Sequence, residues 1–385
     1  MTTLIISDLH LGSNSRADLL RRPELREALL AALGGVDRVL LLGDVLELRH
    51  GPMREAMAAA RPFFEDLGRA LGEHRELLIT AGNHDHALIE PWLAARGAEG
   101  DPGPLKPEQL LEPAEVSPAL ALIAGWCSPA RVRVAYPGMW VREDVYAMHG
   151  HYLDCHMTVP TLERLSMGVM ARLLRRGPSS FQGADDYEAI GSPVFAWRDA
   201  VARSEHTGAA LNGIATVNAW QALGGGPGGA RTAPGGSVGL TRLVPPRARL
   251  KAIRRAFPLA VGALNRAGFG PLRADISSTE LRRAGLEAMG EVAARMGLGD
   301  AYVVFGHTHR AGPFPADEPT EWRGREGARL INTGSWTYSS IFMDSSGSES
   351  PYWPGGCVIV GPSGPPLLAR LLRGREQEEF RPPRG

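Results

Sequence analysis

Short apolar runs recur along the chain, separated by longer stretches with helical spacing. Leu4-Ile5-Ile6, Val39 to Leu42, Leu77 to Thr80, Val145 to Met148, Ala301 to Phe305, Arg329 to Ile331 and Gly356 to Val360 each read as a short buried strand. Arg131-Val132-Arg133-Val134 alternates as a half-exposed strand does. Leu19, Leu20, Leu25, Leu29, Leu30 and Leu33 form one apolar face across Arg16 to Leu33, with Pro23 restarting the helix and Gly34-Gly35 ending it. Pro52 to Leu71 is the next helical stretch, and Pro102, Pro104, Pro107, Pro113 and Pro118 then mark a loop-rich passage.

After Met157 the pattern changes. Met157 to Leu174, Ala184 to Leu223 and Leu240 to Leu298 have helical spacing, with the Gly/Pro-rich loop Gly224 to Gly239 among them. The expected organisation is a core whose first part is 1–156, a helical insertion or cap at 157–299, and the second part of the core at 300–385. A hairpin of Gly356 to Val360 and Leu367 to Leu372 closes that second part.

Polar residues that can bind metal or carry protons follow five of the strands: Asp8 and His10; Asp44 after Gly43; Asn83, His84, Asp85 and His86 after Gly82; His149 and His151 around Gly150; His307 and His309 after Gly306. In extended backbone residues i and i+2 face the same side, so each pair can address one site. Strand–helix–strand units gather such residues beyond the carboxyl edge of a sheet. Asp8, His10, Asp44, Asn83, His84, His149, His307 and His309 are too many for one tetrahedral ion and suit two five- or six-coordinate ions. None is a cysteine, which argues against structural zinc. Glu47 and His50 read as ordinary loop residues; His86, Asp154 and His156 carry little functional signal.

Asp-X-His, Gly-Asp, Gly-Asn-His-Asp, His-Gly-His and Gly-His-Thr-His, in this order, resemble the calcineurin-like metallophosphoesterase family. The resemblance implies an α+β fold, a four-layer α/β/β/α sandwich, here with a large helical insertion as a cap. It implies that Asp8, His10 and His309 hold one metal, that Asn83, His149 and His307 hold the other, and that Asp44 bridges them. His84 would protonate the leaving oxygen or stabilise the phosphoryl oxygens, and Asp85 would orient His84. The implied reaction is hydrolysis of a phosphodiester, phosphomonoester or pyrophosphate by a metal-bridging hydroxide. A nuclease of the same fold and a non-catalytic scaffold are the alternatives. Two divalent ions are the implied cofactors, with Mn first and Fe, Zn, Co or Ni also suited to the donors. Ser7-Asp8-Leu9-His10-Leu11-Gly12 and the insertion after His-Gly-His are similar to the UDP-2,3-diacylglucosamine pyrophosphatase-like branch. The chain departs from that branch in carrying His84 where it has Arg and in the length of the insertion.

Charge changes the picture in one place. The formal net charge is zero, but 157–299 holds 18 Lys and Arg against 10 Asp and Glu, while the remainder holds 24 against 32. A basic insertion thus sits on an acidic body, densest at Arg242, Arg247, Arg249, Lys251, Arg254 and Arg255. It suits a lid over a phosphorylated small-molecule or amphiphilic substrate, a peripheral membrane contact, a grip on nucleic acid or a dimer interface, and charge alone does not choose among them. His151, Arg175 and Arg176 are the expected substrate contacts. The N-terminus reads as a first strand, not a secretory signal. No run reaches the roughly 18 apolar residues of a membrane span. Cys127, Cys155 and Cys357 are too widely spaced to suggest a disulfide framework. The expected location is the cytoplasm.

Overall fold

Among the described residues ten strands carry the fold in one hydrogen-bonded ladder that doubles over on itself: β1 Thr3–Ile6, β2 Arg38–Leu42, β3 Glu76–Thr80, β4 Glu108–Leu111, β5 Arg131–Arg142, β6 Val145–Met148, β7 Tyr302–Phe305, β8 Arg329–Asn332, β9 Gly356–Val360 and β10 Leu367–Arg370. The order is β10-β9-β1-β2-β3-β5-β6-β7-β8, with β4 paired to β5. This is a computed structural model; it describes residues 1–98, 100, 102–203, 246–340, 342–343 and 346–382, and side chains outside 202–255. The expected loop at 224–239, the C-terminal part of the expected helix at 184–223 and Arg242 lie outside the described residues, as do the side chains of Arg247, Arg249, Lys251, Arg254 and Arg255.

The doubling happens within β5. Residues 131–134 pair in parallel with β3, while 138–142 pair antiparallel with β6. β1, β2 and β3 run parallel on one side of this strand, and β6, β7 and β8 run parallel on the other. Alternate residues then separate into two cores. Ile5, Leu40, Leu42, Leu78, Val145, Ala147, Val304 and Ile331 belong to one cluster, which fills the space between the two half-sheets. Their neighbours Leu4, Ile6, Val39, Leu41, Leu77, Ile79, Tyr146, Val303 and Phe305 face the helical layers. Burial on both faces explains why these strands are unbroken apolar runs. The result is the expected α+β sandwich.

Helices cover the outer faces through apolar stripes. Met53–Leu71 buries Ala56, Ala60, Phe63, Phe64 and Leu67, a helical repeat of contacts. Each fully buried aromatic there contributes about 1.5–3 kcal/mol by the usual area scale. Between the parallel strands β6 and β7 the crossover ends in the helix Ser278–Arg295, whose Ser277 side chain accepts from Glu280 N–H at 3.2 Å. Ala284, Met289 and Val292 on it join the same core as Phe63 and Phe64. So do Tyr187, Ile190 and Phe195 of the helix Ala184–Arg203. Both of these helices of the expected insertion are therefore built into the body of the protein. Among the described residues no helix is long and apolar enough to cross a membrane.

Candidate metal centre

The parallel strands deliver their carboxyl ends to one edge, and the loops that follow place the polar residues there. Asp8, His10, Asp44, His307 and His309 all adopt left-handed backbone, with φ of 56°, 45°, 50°, 65° and 60°. Only two other non-glycine residues among those described do so, Arg16 and Arg175. Left-handed backbone is unfavourable for such residues and concentrates where a site demands it. The glycines of the motifs serve close approach. A Cβ on Gly82 would run into Asp44 Oδ1, and one on Gly306 into Ser7 Oγ and Asp8 Oδ2.

Two donor groups result. His309 Nε2 stands 3.2 Å from Asp8 Oδ1 and 3.2 Å from His10 Nε2. On the other side His149 Nε2 is 3.2 Å from Asn83 Oδ1, and His307 Nδ1 is 3.1 Å from the same oxygen. Asp44 lies between them: its Oδ2 is 3.7 Å from His10 Nε2 and 3.3 Å from His149 Nε2. Asp8 Oδ1 is buried and makes no hydrogen bond among the described residues. Lone pairs aimed at a common point, one of them without a donor, fit a divalent cation; imidazole, carboxylate and amide oxygen are suitable ligands for one.

The charges of the site bear this out. Burial works against charge on His10 and His149, yet the carboxylates around them outweigh it, raising His10 to about 9 and His149 to about 10. Burial would likewise raise Asp8, but His309 and His149 hold it at about 2. Without a cation, protons on these imidazoles balance the carboxylates.

Each imidazole is fixed by its second nitrogen. His149 Nδ1 donates to Leu42 O at 2.9 Å. His10 Nδ1 lies 3.0 Å from Glu47 Oε2. His307 Nε2 lies 3.1 Å from Asp154 Oδ2. With these protons placed, His149 Nε2, His10 Nε2 and His307 Nδ1 keep their lone pairs for a metal. His84 is held in the same way, its Nδ1 2.9 Å from Glu47 Oε2. Burial and the nearby Arg49 lower His84 to about 4 despite Glu47.

Three expectations need correction. Asp85 does not orient the His84 ring. Its carboxylate instead accepts from the backbone N–H groups of Gly82 and Val45, both at 2.7 Å, and of Leu46 at 3.2 Å, which ties together the loops after β2 and β3. Glu47 holds the ring. Arg175 and Arg176 are exposed and line a separate depression with Arg164 and Arg172. His151 is 2% exposed and packs on His149 and Phe195 beneath the site. None of these three lines the cleft over the centre, a space of about 230 Å³ bounded by Asp44, His84, His307, Arg282, Arg310 and Trp322 among others. Two residues that mattered were passed over, Glu47 and Asp154. His86 and His156 are structural: they meet Glu188 and Tyr187 of the helix Ala184–Arg203 at 3.1 and 2.8 Å.

Residues 1–177 match the calcineurin-like phosphoesterase family. No curated protein gives a significant match to the chain. The calcineurin-like match spans every strand-end block up to His149, and β7 brings the last block, His307 and His309, to the same edge. It supports a metal-dependent phosphoesterase in general, and the His and Asp groups above are able to hold metal.

Proposed function

We propose that the chain hydrolyses phosphoric esters or anhydrides at a centre for two divalent ions. Asp8, His10 and His309 would hold one ion, Asn83, His149 and His307 the other, and Asp44 would be shared. The observation that supports this most is the arrangement of donors on either side of Asp44, with Asp8, His10 and His309 in one cluster and His149 and His307 in another that includes Asp44. Ions held there would supply Lewis acidity to phosphoryl oxygens and lower the pKa of a bound water.

The chain's own residues account for the remaining needs of the reaction. Asp154 and Glu47 set the tautomers of His307 and His10. Glu47 also aims His84 Nε2 into the cleft. His84 is neutral when the site is empty of substrate, and a phosphoryl dianion beside it would raise its pKa, so that it can give a proton to the leaving oxygen. Mn is the first ion to add.

The deciding assay uses metal-stripped protein and bis-p-nitrophenyl phosphate, with Mn returned, beside His84→Ala and Asp44→Ala. Mn-dependent turnover is expected, falling by on the order of 10²-fold or more in each variant. A substrate panel follows: cyclic nucleotides, DNA, and the acylated nucleotide diphosphates implied by the UDP-2,3-diacylglucosamine pyrophosphatase-like resemblance. Absence of metal-dependent turnover on all of them would overturn the reading.

A further inference from the structure

Beside the centre lie two guanidinium groups that the reaction described above does not use. Arg49 follows Glu47 by two residues, and its backbone N–H donates to Glu47 Oε1 at 3.0 Å. Its guanidinium stands 5.7 Å from the ring centre of Phe195. That ring also packs on His86 and His151, with centres 5.0 and 5.4 Å away. Arg49 is thereby wedged between the loop that aims His84 and the helix Ala184–Arg203. Arg198 is one turn beyond Phe195 on this helix, and its Nη1 donates to Glu163 Oε1 at 2.9 Å. Glu163 in turn lines the cleft over the metal centre, together with Asp44 and His84.

Three nitrogens of this pair, Nε and Nη2 of Arg49 and Nη2 of Arg198, are buried and donate to nothing among the described residues. An arginine fork has five N–H groups and almost never hides them without acceptors. Burial and the neighbouring Arg198 hold Arg49 below its usual value, and Asp44, Asp199 and Glu163 oppose this only in part. Negative charge nearby does not by itself give N–H groups acceptors, and Nε and Nη2 of Arg49 have none among the described residues. A planar donor fork with unused N–H groups, one flank against an aromatic ring and beside Arg198, whose partner Glu163 lines the cleft, is matched by a tetrahedral oxyanion.

We propose that Arg49 and Arg198 form a second anion subsite beside the metal centre, which takes a second phosphate-like group carried by the substrate. This rests on the reading of the centre as a phosphoesterase site. It narrows the substrate to molecules with two anionic groups and gives the helix Ala184–Arg203 a part in choosing them.

The test uses the full chain loaded with Mn and a series of non-hydrolysable probes: methylphosphonate, and bisphosphonates with one, two or three carbons between the phosphorus atoms. Binding is measured by titration calorimetry and, separately, as inhibition of bis-p-nitrophenyl phosphate hydrolysis. One spacer length should bind at least about tenfold tighter than methylphosphonate. Part of that advantage comes from the metals, so the deciding quantity is its change in Arg49→Gln and Arg198→Gln. Each should reduce the advantage about tenfold, the scale of a charge-assisted bond. Arg198 is part-exposed and its loss is the less disruptive, so its ratio alone decides if Arg49→Gln does not fold. A ratio within about twofold of the unsubstituted chain overturns the subsite. Turnover of the nitrophenyl diester by the unsubstituted chain reports on the hydrolase reading independently: a normal ratio with active enzyme sinks only the subsite, and a falling ratio without turnover sinks only the hydrolase.

Discussion

The two halves of the metal centre are built from similar donors but braced differently. Around Asp8, His10 and His309, one carboxylate, Glu47, serves two rings: it meets His10 Nδ1 at 3.0 Å and His84 Nδ1 at 2.9 Å. Around Asn83, His149 and His307, the bracing is divided. Leu42 O takes the His149 proton, and Asp154 meets His307 alone. On the proposed reading the first half would couple a metal ligand to the proton-carrying residue through a shared side chain, and the second half would only hold metal. Damage to Glu47 should therefore change both ion binding and proton transfer, whereas damage to Asp154 should change ion binding only.

Glu47→Gln gives the largest expected effect. Both carboxylate oxygens already face donors: Oε1 accepts from Arg49 N–H at 3.0 Å and lies 3.0 Å from His84 Nδ1, and Oε2 serves both rings. A Gln amide, whichever way it turns, sets an NH₂ against one of these donors. Turnover at saturating Mn should fall on the order of 10²-fold, the usual contribution of general acid–base catalysis. The pH–rate profile should shift as well. A loss that excess Mn fully restores would show that Glu47 serves His10 alone, and the contrast between the halves would collapse.

Asp154→Ala should have a smaller effect of a different kind. Removing the outer partner of a ligand imidazole costs about 10–100-fold in metal affinity. Titration calorimetry should show one weakened Mn site, and saturating Mn should restore turnover to near the unsubstituted value. A kcat that stays low at saturating Mn would place Asp154 in the chemistry itself and erase the difference from Glu47.

These two bracing residues also mark the limit of sequence reading. The eight strand-end residues from Asp8 to His309 assemble because parallel strands share a carboxyl edge, a consequence of topology that apolar runs reveal. Glu47 and Asp154 come a few residues later, in the loop after Asp44 just past the bridging residue Leu46 and in the 3-10 turn His151–Cys155. No periodicity governs where such side chains point. The Asp85 role that the resemblance implies fails for a related reason: Asp85 is next to His84 in sequence, but consecutive side chains diverge. The alternation at Arg131 to Val134 announced only the first third of β5. The strand continues through Pro137-Gly138 and joins the half-sheets. Arg175 and Arg176 drew notice through charge, but charge density says nothing about which depression a side chain lines.

A third effect is in stability, and it separates the empty centre from the loaded one. In the metal-free protein the folded state holds protons on His10 and His149 up to about pH 9 and 10, where the unfolded chain loses them near 6.5. Both pKa values are raised, so the stability they contribute is fully present below pH 6.5 and is lost as pH climbs through 9 to 10. Burial acts the other way on His84 and His156, lowering each to about 4. The unfolded chain therefore takes up more protons between pH 6.5 and 4, and stability falls there too. Metal-free protein should be most stable near pH 6.5, with Tm declining on both sides. Loading the centre displaces the protons from His10 and His149, since a metal needs the neutral imidazole. The alkaline decline should then vanish while the acid decline remains. Paired melting curves from pH 5 to 10, with chelator and with Mn, measure this directly. An alkaline decline that persists with Mn bound would mean that these two imidazoles are not the ones the metal takes.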